Sequence, residues 1–200
     1  MRRLLGAALL VSLAFPAPAG AAAKEVSVCD RYFSPDQTTI AVGQVVRWTS
    51  AGSSEPHNVR QDWSLFRSGD PVLEIDYSVR FSAGTFHYFC EIHGGRSAGM
   101  DGKVFVPVKV AEGPTGPSFS VVWATGETRS GSRFDVQYRV GSGDWLTWHR
   151  DTRAVKGTFG DGGSPEVVVP GTSYRFRTRS QKGTTAKAVS GWSPVVSFTP

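Results

Sequence analysis

Short runs of alternating apolar and polar residues account for most of the first half of the chain. Between residues 85 and 90, Phe86, Tyr88 and Cys90 are apolar at every second position, which indicates a strand with one buried face. No window of ten or more residues has helical periodicity, and the polar segment 61–76 is predicted to be a loop. The runs predicted to be strands are 25–29, 38–42, 44–49, 57–60, 78–82, 85–90 and 103–110. Many short strands predict an all-β sandwich or barrel.

The pattern stops at residues 112–117 and then begins again. This segment reads EGPTGP, and its glycine and proline content is typical of a linker. The strand-like runs that follow are 118–123, 133–140, 144–149, 166–169, 174–180 and 195–199. We therefore predict two β domains, at 24–111 and 118–200, joined by a linker at 112–117.

The first 23 residues differ in kind from the rest. Arg2 and Arg3 precede an apolar run, and small residues follow at 19–23. This order is typical of a secretory signal peptide with cleavage near residues 21–23. We expect an exported protein, extracellular or periplasmic. No later stretch approaches the roughly 20 apolar residues that a membrane span needs.

Charge separates the two predicted domains. Residues 24–112 carry nine basic and eleven acidic residues, a net charge of −2, whereas residues 113–200 carry eleven and six, a net charge of +5. Arg175, Arg177 and Arg179 alternate along one run and so share a face of a strand. We favour a solvated sheet face that resists edge pairing. The alternative is a surface for an anionic extracellular ligand such as a cell-wall polymer. No motif supports nucleic-acid binding.

Residues with soft donor atoms cluster after the 85–90 run. Cys90, His93 and Met100 offer a thiolate, an imidazole and a thioether, and the glycines between His93 and Met100 let that loop fold back. Such donors suit copper, above all Cu(I), better than magnesium or calcium. A trigonal copper site needs a second imidazole, and His57 supplies it at the start of another predicted strand. We predict one copper ion per chain. Gly94 and Gly95 also predict that one edge of the His93 ring lies near the surface.

The two cysteines allow a second interpretation. In an exported protein, Cys29 and Cys90 would ordinarily form a disulfide, and on their number alone that interpretation is as good as a metal site. The neighbours of Cys90 favour a metal thiolate, which leaves Cys29 as a free, outward-facing thiol. His87 is out of phase with Cys90 and is predicted not to be a ligand. His149, in the second predicted domain, is interpreted as a surface residue.

Residues 24–110 resemble the plastocyanin-like cupredoxins. The matching segments are FSP at 33–35, GQVVRW at 43–48, PHNV at 56–59 and the stretch from Tyr88 to Gly102. One departure is the loop length, because six residues separate His93 from Met100 where plastocyanin-like proteins commonly have four. The resemblance implies a Greek-key β-sandwich with type 1 copper held by His57, Cys90, His93 and Met100. It also implies that Asn58 ties the ligand loops together by hydrogen bonds.

Residues 118–200 resemble a fibronectin type III domain. The segment VVPGTSYRFR at 168–177 places Tyr174 at the tyrosine-corner position. Trp123 and the closing GWSP at 191–194 fit the same family. The resemblance implies an immunoglobulin-like β-sandwich.

These observations favour a secreted one-electron carrier that exchanges electrons with a redox partner protein. An enzyme is disfavoured, because the chain has only four histidines and no nucleophile elbow, phosphate loop or HExxH motif. Copper oxidases and nitrite reductases of related fold need several more histidines. Two alternatives stay open: a copper storage or sensing module, and an adhesion or matrix protein in which the second domain dominates.

Overall fold

The computed structural model describes residues 22–96, 98–113, 116–126, 131–161, 167–183 and 188–200. The predicted signal peptide, apart from residues 22 and 23, lies outside these residues. The described residues form fifteen strands and no helix. None of them forms a helix long and apolar enough to cross a membrane.

Eight strands build the first sandwich. They are β1 (Lys24–Cys29), β2 (Tyr32–Ser34), β3 (Gln37–Thr39), β4 (Val45–Ser50), β5 (Arg60–Gln61), β6 (Asp76–Arg80), β7 (Gly84–Gly94) and β8 (Gly99–Val106). One sheet has the order β2-β1-β4-β6 and the other has the order β3-β8-β7-β5. The pairs β1–β4 and β3–β8 are parallel, and the other pairs are antiparallel.

Alternating residues of both sheets form the core of the first sandwich. On β7 the predicted inward set is confirmed, since Phe86, Tyr88 and Cys90 are all buried. Trp48 on β4 lies at the centre of this core, and its ring centroid is 5.2 Å from that of Tyr88 and 5.8 Å from that of Phe66. β7 therefore carries the Cys90 thiol into an aromatic core. Substituting a large residue of this core with a small one would leave a cavity and reduce stability.

Seven strands build the second sandwich. They are β9 (Lys109–Glu112), β10 (Phe119–Val122), β11 (Ser132–Val140), β12 (Leu146–Thr152), β13 (Lys156–Phe159), β14 (Tyr174–Lys182) and β15 (Val196–Phe198). The sheets have the orders β13-β10-β9 and β12-β11-β14-β15. The Tyr174 hydroxyl accepts a hydrogen bond from the Val169 amide at 2.8 Å and donates to the Val167 carbonyl at 3.4 Å. This tyrosine corner and the sheet order are those of a fibronectin type III-like sandwich.

Some strands differ from the prediction. The run 103–110 was expected to be one strand, but it is divided between β8 and β9 at Pro107, which has no amide hydrogen for a sheet. β9 pairs with β10, so the expected linker connects two paired strands of the second sandwich. The domain boundaries themselves stay predictions. β13 was not predicted, and the described part of 166–169, residues 167–169, has no strand.

Hydrogen bonds join the two sandwiches. Thr85 and Gly191 form an antiparallel bridge, in which each amide donates to the other residue's carbonyl at 3.1 and 2.8 Å. The Ala83 amide donates to the Trp123 carbonyl at 2.7 Å, and the Ser180 hydroxyl donates to the Ala83 carbonyl at 3.0 Å. Ala83 is buried among the core residues of the second sandwich. The start of β7 is thus part of the contact between the sandwiches.

Candidate metal centre

β7 carries two of the predicted ligands and the segment before β5 carries the third. Cys90 and His93 lie in the last part of β7. His57 forms an isolated bridge with Val72, and each residue's amide donates to the other's carbonyl at 2.9 Å. β5 pairs with β7 through Arg60 and Phe89, which brings the His57 segment alongside Cys90.

Three donor atoms converge at the end of the first sandwich. The Nδ1 atoms of His57 and His93 each lie 3.7 Å from the Cys90 Sγ, and the two Nδ1 atoms are 3.1 Å apart. One ligand atom from each residue lies within 4.8 Å of the others. The Cys90 and His57 side chains are buried, whereas the His93 side chain is 14% exposed. The structure thus brings together three of the four predicted ligands.

The long loop after His93 is a hairpin. Gly94 on β7 pairs with Gly99 on β8, and the Gly95 amide donates to the Ala98 carbonyl at 2.9 Å. Gly99 has a φ of +94°, and a Cβ there would lie 2.5 Å from the His93 carbonyl oxygen. Both facts require glycine at this position. Met100 follows Gly99, is 1% exposed and packs in the core cluster that contains Cys90.

Asn58 links the chain segments on either side of the cluster. Its Oδ1 accepts a hydrogen bond from the Glu91 amide at 2.9 Å, and its Nδ2 donates to the Gly69 carbonyl at 2.9 Å and to the Glu91 carboxylate. Burial disfavours ionisation of Glu91, but hydrogen bonds from Asn58, Arg67 and Arg60 outweigh it and hold the pKa of Glu91 below its usual value. The backbone beside Cys90 is therefore fixed by a charged network.

The hydrogen bond at His57 Nε2 directs its Nδ1 toward Cys90 and His93. The Ser53 hydroxyl donates to the Asp30 carboxylate, so its oxygen is left to accept from His57 Nε2, 2.7 Å away. Burial lowers the pKa of His57 and the neighbouring His93 acts in the same direction, while Asp30, at 3.6 Å, opposes both. The neutral ring with its proton on Nε2 is the form in which Nδ1 can coordinate a metal.

Two residues that were not predicted from the sequence, Glu55 and Arg31, cover the outer edge of His93. Its Nε2 lies 3.1 Å from the Glu55 Oε2, and Glu55 is in turn bonded to Arg31. The hydrogen bond from Arg31 lowers the pKa of Glu55, and the charge of His93 acts in the same direction. Glu55 precedes His57 by two residues in SEPH, but its contacts with His93 and Arg31 join residues 38 and 24 apart. The spacing of residues within a short stretch of sequence therefore could not predict these contacts.

The remaining cysteine and histidines have other surroundings. Cys29 and Cys90 are both free thiols, so the disulfide alternative is wrong for this structure. His87 lies between Asp62, at 2.7 Å, and Asp101, at 2.8 Å, and takes no part in the cluster. The interpretation of His149 as a plain surface residue needs correction. Its ring packs against that of Trp123, with centroids 5.5 Å apart, and burial lowers its pKa.

The donor set fits copper. Two imidazole nitrogens and a cysteine sulfur at the end of an apolar core offer three soft donor atoms for a trigonal site. Hard cations such as magnesium and calcium prefer oxygen ligands, which this cluster lacks among the described residues. An eight-stranded sandwich with this cluster defines the class of the protein, which is a cupredoxin.

Comparison with known proteins gives the family. No family model matches the chain. The chain is 35% identical over 86 residues to plastocyanin of Scenedesmus fuscus, a match covering 37% of this chain and 85% of that protein. It is 37% identical over 86 residues to chloroplastic plastocyanin of Tetradesmus obliquus, covering 37% of this chain and 57% of that one. A mutant fern plastocyanin structure aligns with 23% identity and a TM-score of 0.34, covering 41% of this chain and 98% of its own. The chain belongs to the plastocyanin family, and its cofactor is copper.

Proposed function

We propose that the protein is an exported one-electron carrier whose single copper ion is bound by His57, Cys90, His93 and Met100. The observation that carries this proposal is the convergence of the two Nδ1 atoms, 3.1 Å apart, each at 3.7 Å from the Cys90 Sγ. Bound copper supplies a one-electron couple between Cu(II) and Cu(I). In each cycle the protein accepts one electron from a reduced partner protein and passes it to an oxidised one.

The chain's own residues suit this task because hydrogen bonds and close packing hold them in place. The Ser53 hydroxyl fixes the His57 ring at 2.7 Å, and β7 places Cys90 in a closely packed core. A preorganised site needs little rearrangement when its charge changes, and little rearrangement favours rapid electron exchange. The buried Cys90 thiol would be deprotonated on coordination.

Met100 is proposed as a fourth residue that would hold the copper, through its thioether sulfur. It is buried in the same core cluster as Cys90. Gly99, the residue before it, pairs with Gly94, and this pair brings the start of β8 next to the end of β7. A distant thioether tunes the potential of a trigonal copper site. Asn58 is proposed to support the site through its hydrogen bonds to Glu91 and Gly69.

Voltammetry on the copper-loaded mature protein tests the proposed function. We expect a reversible one-electron wave, with rapid self-exchange between the oxidised and reduced forms. Slow self-exchange with tight copper binding would contradict a carrier and favour storage or sensing. The matched control is the metal-free protein, which should give no wave.

A further inference from the structure

The outer nitrogens of the two histidines have different partners. His57 Nε2 contacts the neutral hydroxyl of Ser53 at 2.7 Å. His93 Nε2 contacts the carboxylate of Glu55 at 3.1 Å. A carboxylate in contact with the far nitrogen of a ligating imidazole orients the ring and raises its basicity. The carboxylate nearest His57, that of Asp30, lies farther away, 3.6 Å from Nε2, and accepts from the Ser53 hydroxyl. The site is thus asymmetric, because a carboxylate contacts His93 directly but reaches His57 through Ser53.

Glu55 is itself held in place from two directions. Arg31 donates from Nε to Oε2 at 3.2 Å and from Nη2 to Oε1 at 3.0 Å, which is the two-pronged geometry of strong arginine–carboxylate pairs. The neighbouring Asp30 accepts from the Ser54 amide at 2.9 Å and from the Glu55 amide at 3.3 Å. Residues 30 and 31, between β1 and β2, therefore anchor the loop that presents Glu55 to His93.

We propose that Glu55 is a positioning residue for His93: its carboxylate fixes the ring with Nδ1 toward Cys90 and makes the copper site favour Cu(II). The proposal rests on the proposed function, because it assumes that His93 is a copper ligand. A negative charge beside the site stabilises the more positive oxidation state and so lowers the reduction potential. Arg31 opposes this effect, because its positive charge lies just beyond the carboxylate.

Three variants separate the charge of Glu55 from its contact with His93. Glu55→Gln keeps an oxygen that can accept from Nε2 but removes the charge, while Glu55→Ala removes both. Arg31→Gln leaves the carboxylate and removes the opposing cation. Asp144→Asn is the matched control, since it removes one exposed carboxylate from the second sandwich. Far-UV circular dichroism confirms that each variant is folded.

The potentials should shift in opposite directions. For Glu55→Gln we expect about a tenfold loss of preference for Cu(II), which for a one-electron couple is a rise of about 59 mV. Arg31→Gln should lower the potential, and Asp144→Asn should leave it unchanged. Glu55→Ala should raise the potential and also change the visible and electron paramagnetic resonance spectra, because the His93 ring is then less restrained.

The contact between Glu55 and His93 has its own readout. Nitrogen-15 NMR of the reduced protein follows exchange of each Nε2 proton with water. We expect the His93 proton to exchange slowly in the wild type and in Glu55→Gln, and at least tenfold faster in Glu55→Ala. The His57 proton, bonded to Ser53, should be the same in all three proteins.

The outcomes distinguish this inference from the proposed function. A wild-type protein without a reversible wave would overturn the proposed function and this inference with it. A normal wild-type wave, with Glu55→Gln at the wild-type potential or with the His93 proton unprotected in the wild type, would overturn this inference alone.

Discussion

The two sandwiches use similar packing for different purposes. Both have aromatic cores, around Trp48 in the first and around Phe119 and Phe159 in the second. Only the first, among the described residues, assembles a cluster of donor atoms that could hold a metal. The difference lies at the end of the first sandwich, where the His57 segment meets the β7–β8 hairpin. The β-sandwich supplies rigidity, and the local sequence at one end supplies the chemistry.

In the second sandwich, the arginines of β14 pack against aromatic rings instead of lying beside a metal cluster. The Arg177 guanidinium lies 4.1 Å from the ring centroid of Trp145 and 4.7 Å from that of Trp192. Arg179 lies 4.8 Å from the Trp192 ring and bonds to Asp135 at 2.8 Å. Such cation–π contacts stabilise the face of a sheet. The three arginines of β14 are half-buried, and β14 pairs with β11 on one side and β15 on the other, so the expected resistance to edge pairing does not apply to this central strand. An anionic extracellular ligand stays a prediction.

Replacing one core phenylalanine by alanine in each sandwich should lower stability by a similar amount. Only the replacement in the first sandwich should disturb the copper site. Phe86→Ala and Phe176→Ala each remove a buried ring, at a cost of about 3–5 kcal/mol in unfolding free energy. Phe86 shares the inward face of β7 with Cys90, so its loss should also weaken the visible copper band. Phe176→Ala should leave that band unchanged below its unfolding transition. Denaturant unfolding followed by absorbance and circular dichroism measures both, and loss of the band in folded Phe176→Ala would contradict the separation.

The ligand hairpin should be sensitive to a single methyl group. Gly99→Ala forces a side chain onto a positive-φ residue and against the His93 carbonyl, which should cost about 1–3 kcal/mol and alter the copper spectrum. Gly95→Ala is the control, since a Cβ there would meet no atom within 4 Å. Thermal unfolding and electron paramagnetic resonance of both variants check this prediction. Equal behaviour of the two variants would show that the hairpin geometry does not control the site.

The periodic patterns predicted much of the fold because alternation follows burial. β4, β7, β11 and β14 were predicted on this basis. Alternation along one strand does not show which strand it pairs with. It therefore did not predict that residues 109–112 form a separate strand, β9, which pairs with β10. β13 was missed because it has only four residues and includes Gly157, where a Cβ would lie 3.0 Å from the Trp148 ring. Gly157 allows close packing against Trp148. Glycine nevertheless has a low strand propensity, so a propensity scale argues against a strand here.

The tyrosine corner should matter to the second sandwich alone. Tyr174→Phe removes the acceptor of the Val169 amide and the donor to the Val167 carbonyl, at a cost of about 1–2 kcal/mol. The copper spectrum should stay the same, because none of these residues belongs to the metal cluster. Calorimetry and a visible spectrum test both statements. A changed spectrum at unchanged stability would contradict them.

The contact between the sandwiches should give the smallest effect. Thr85→Val removes the hydroxyl that donates to the Trp192 carbonyl at 2.8 Å and keeps the side-chain shape. We expect a loss of about 0.5–1 kcal/mol in unfolding free energy. Thr39→Val, on an exposed position of β3, is the control and should change stability less. A larger loss of stability in Thr39→Val than in Thr85→Val would show that this hydrogen bond does not stabilise the contact between the sandwiches.

The candidate site was predictable only in part. Donor type and spacing pointed to His57, Cys90 and His93, and the structure brings these three together. Glu55, Arg31 and Asp30 were missed, although they surround the outer nitrogens of both histidines. Their contacts join segments more than twenty residues apart, and common surface residue types have no distinctive signature. Residues that support a metal site are decided by tertiary structure.

The most direct test of the central claim is a visible spectrum of residues 24–200 after addition of Cu(II). We expect an intense blue thiolate-to-copper band that saturates at one copper per chain. Cys90→Ser should abolish the band, and Cys29→Ser should leave it intact. A colourless wild-type protein, or a band that persists in Cys90→Ser, would contradict the proposal that Cys90 binds copper in a carrier of electrons.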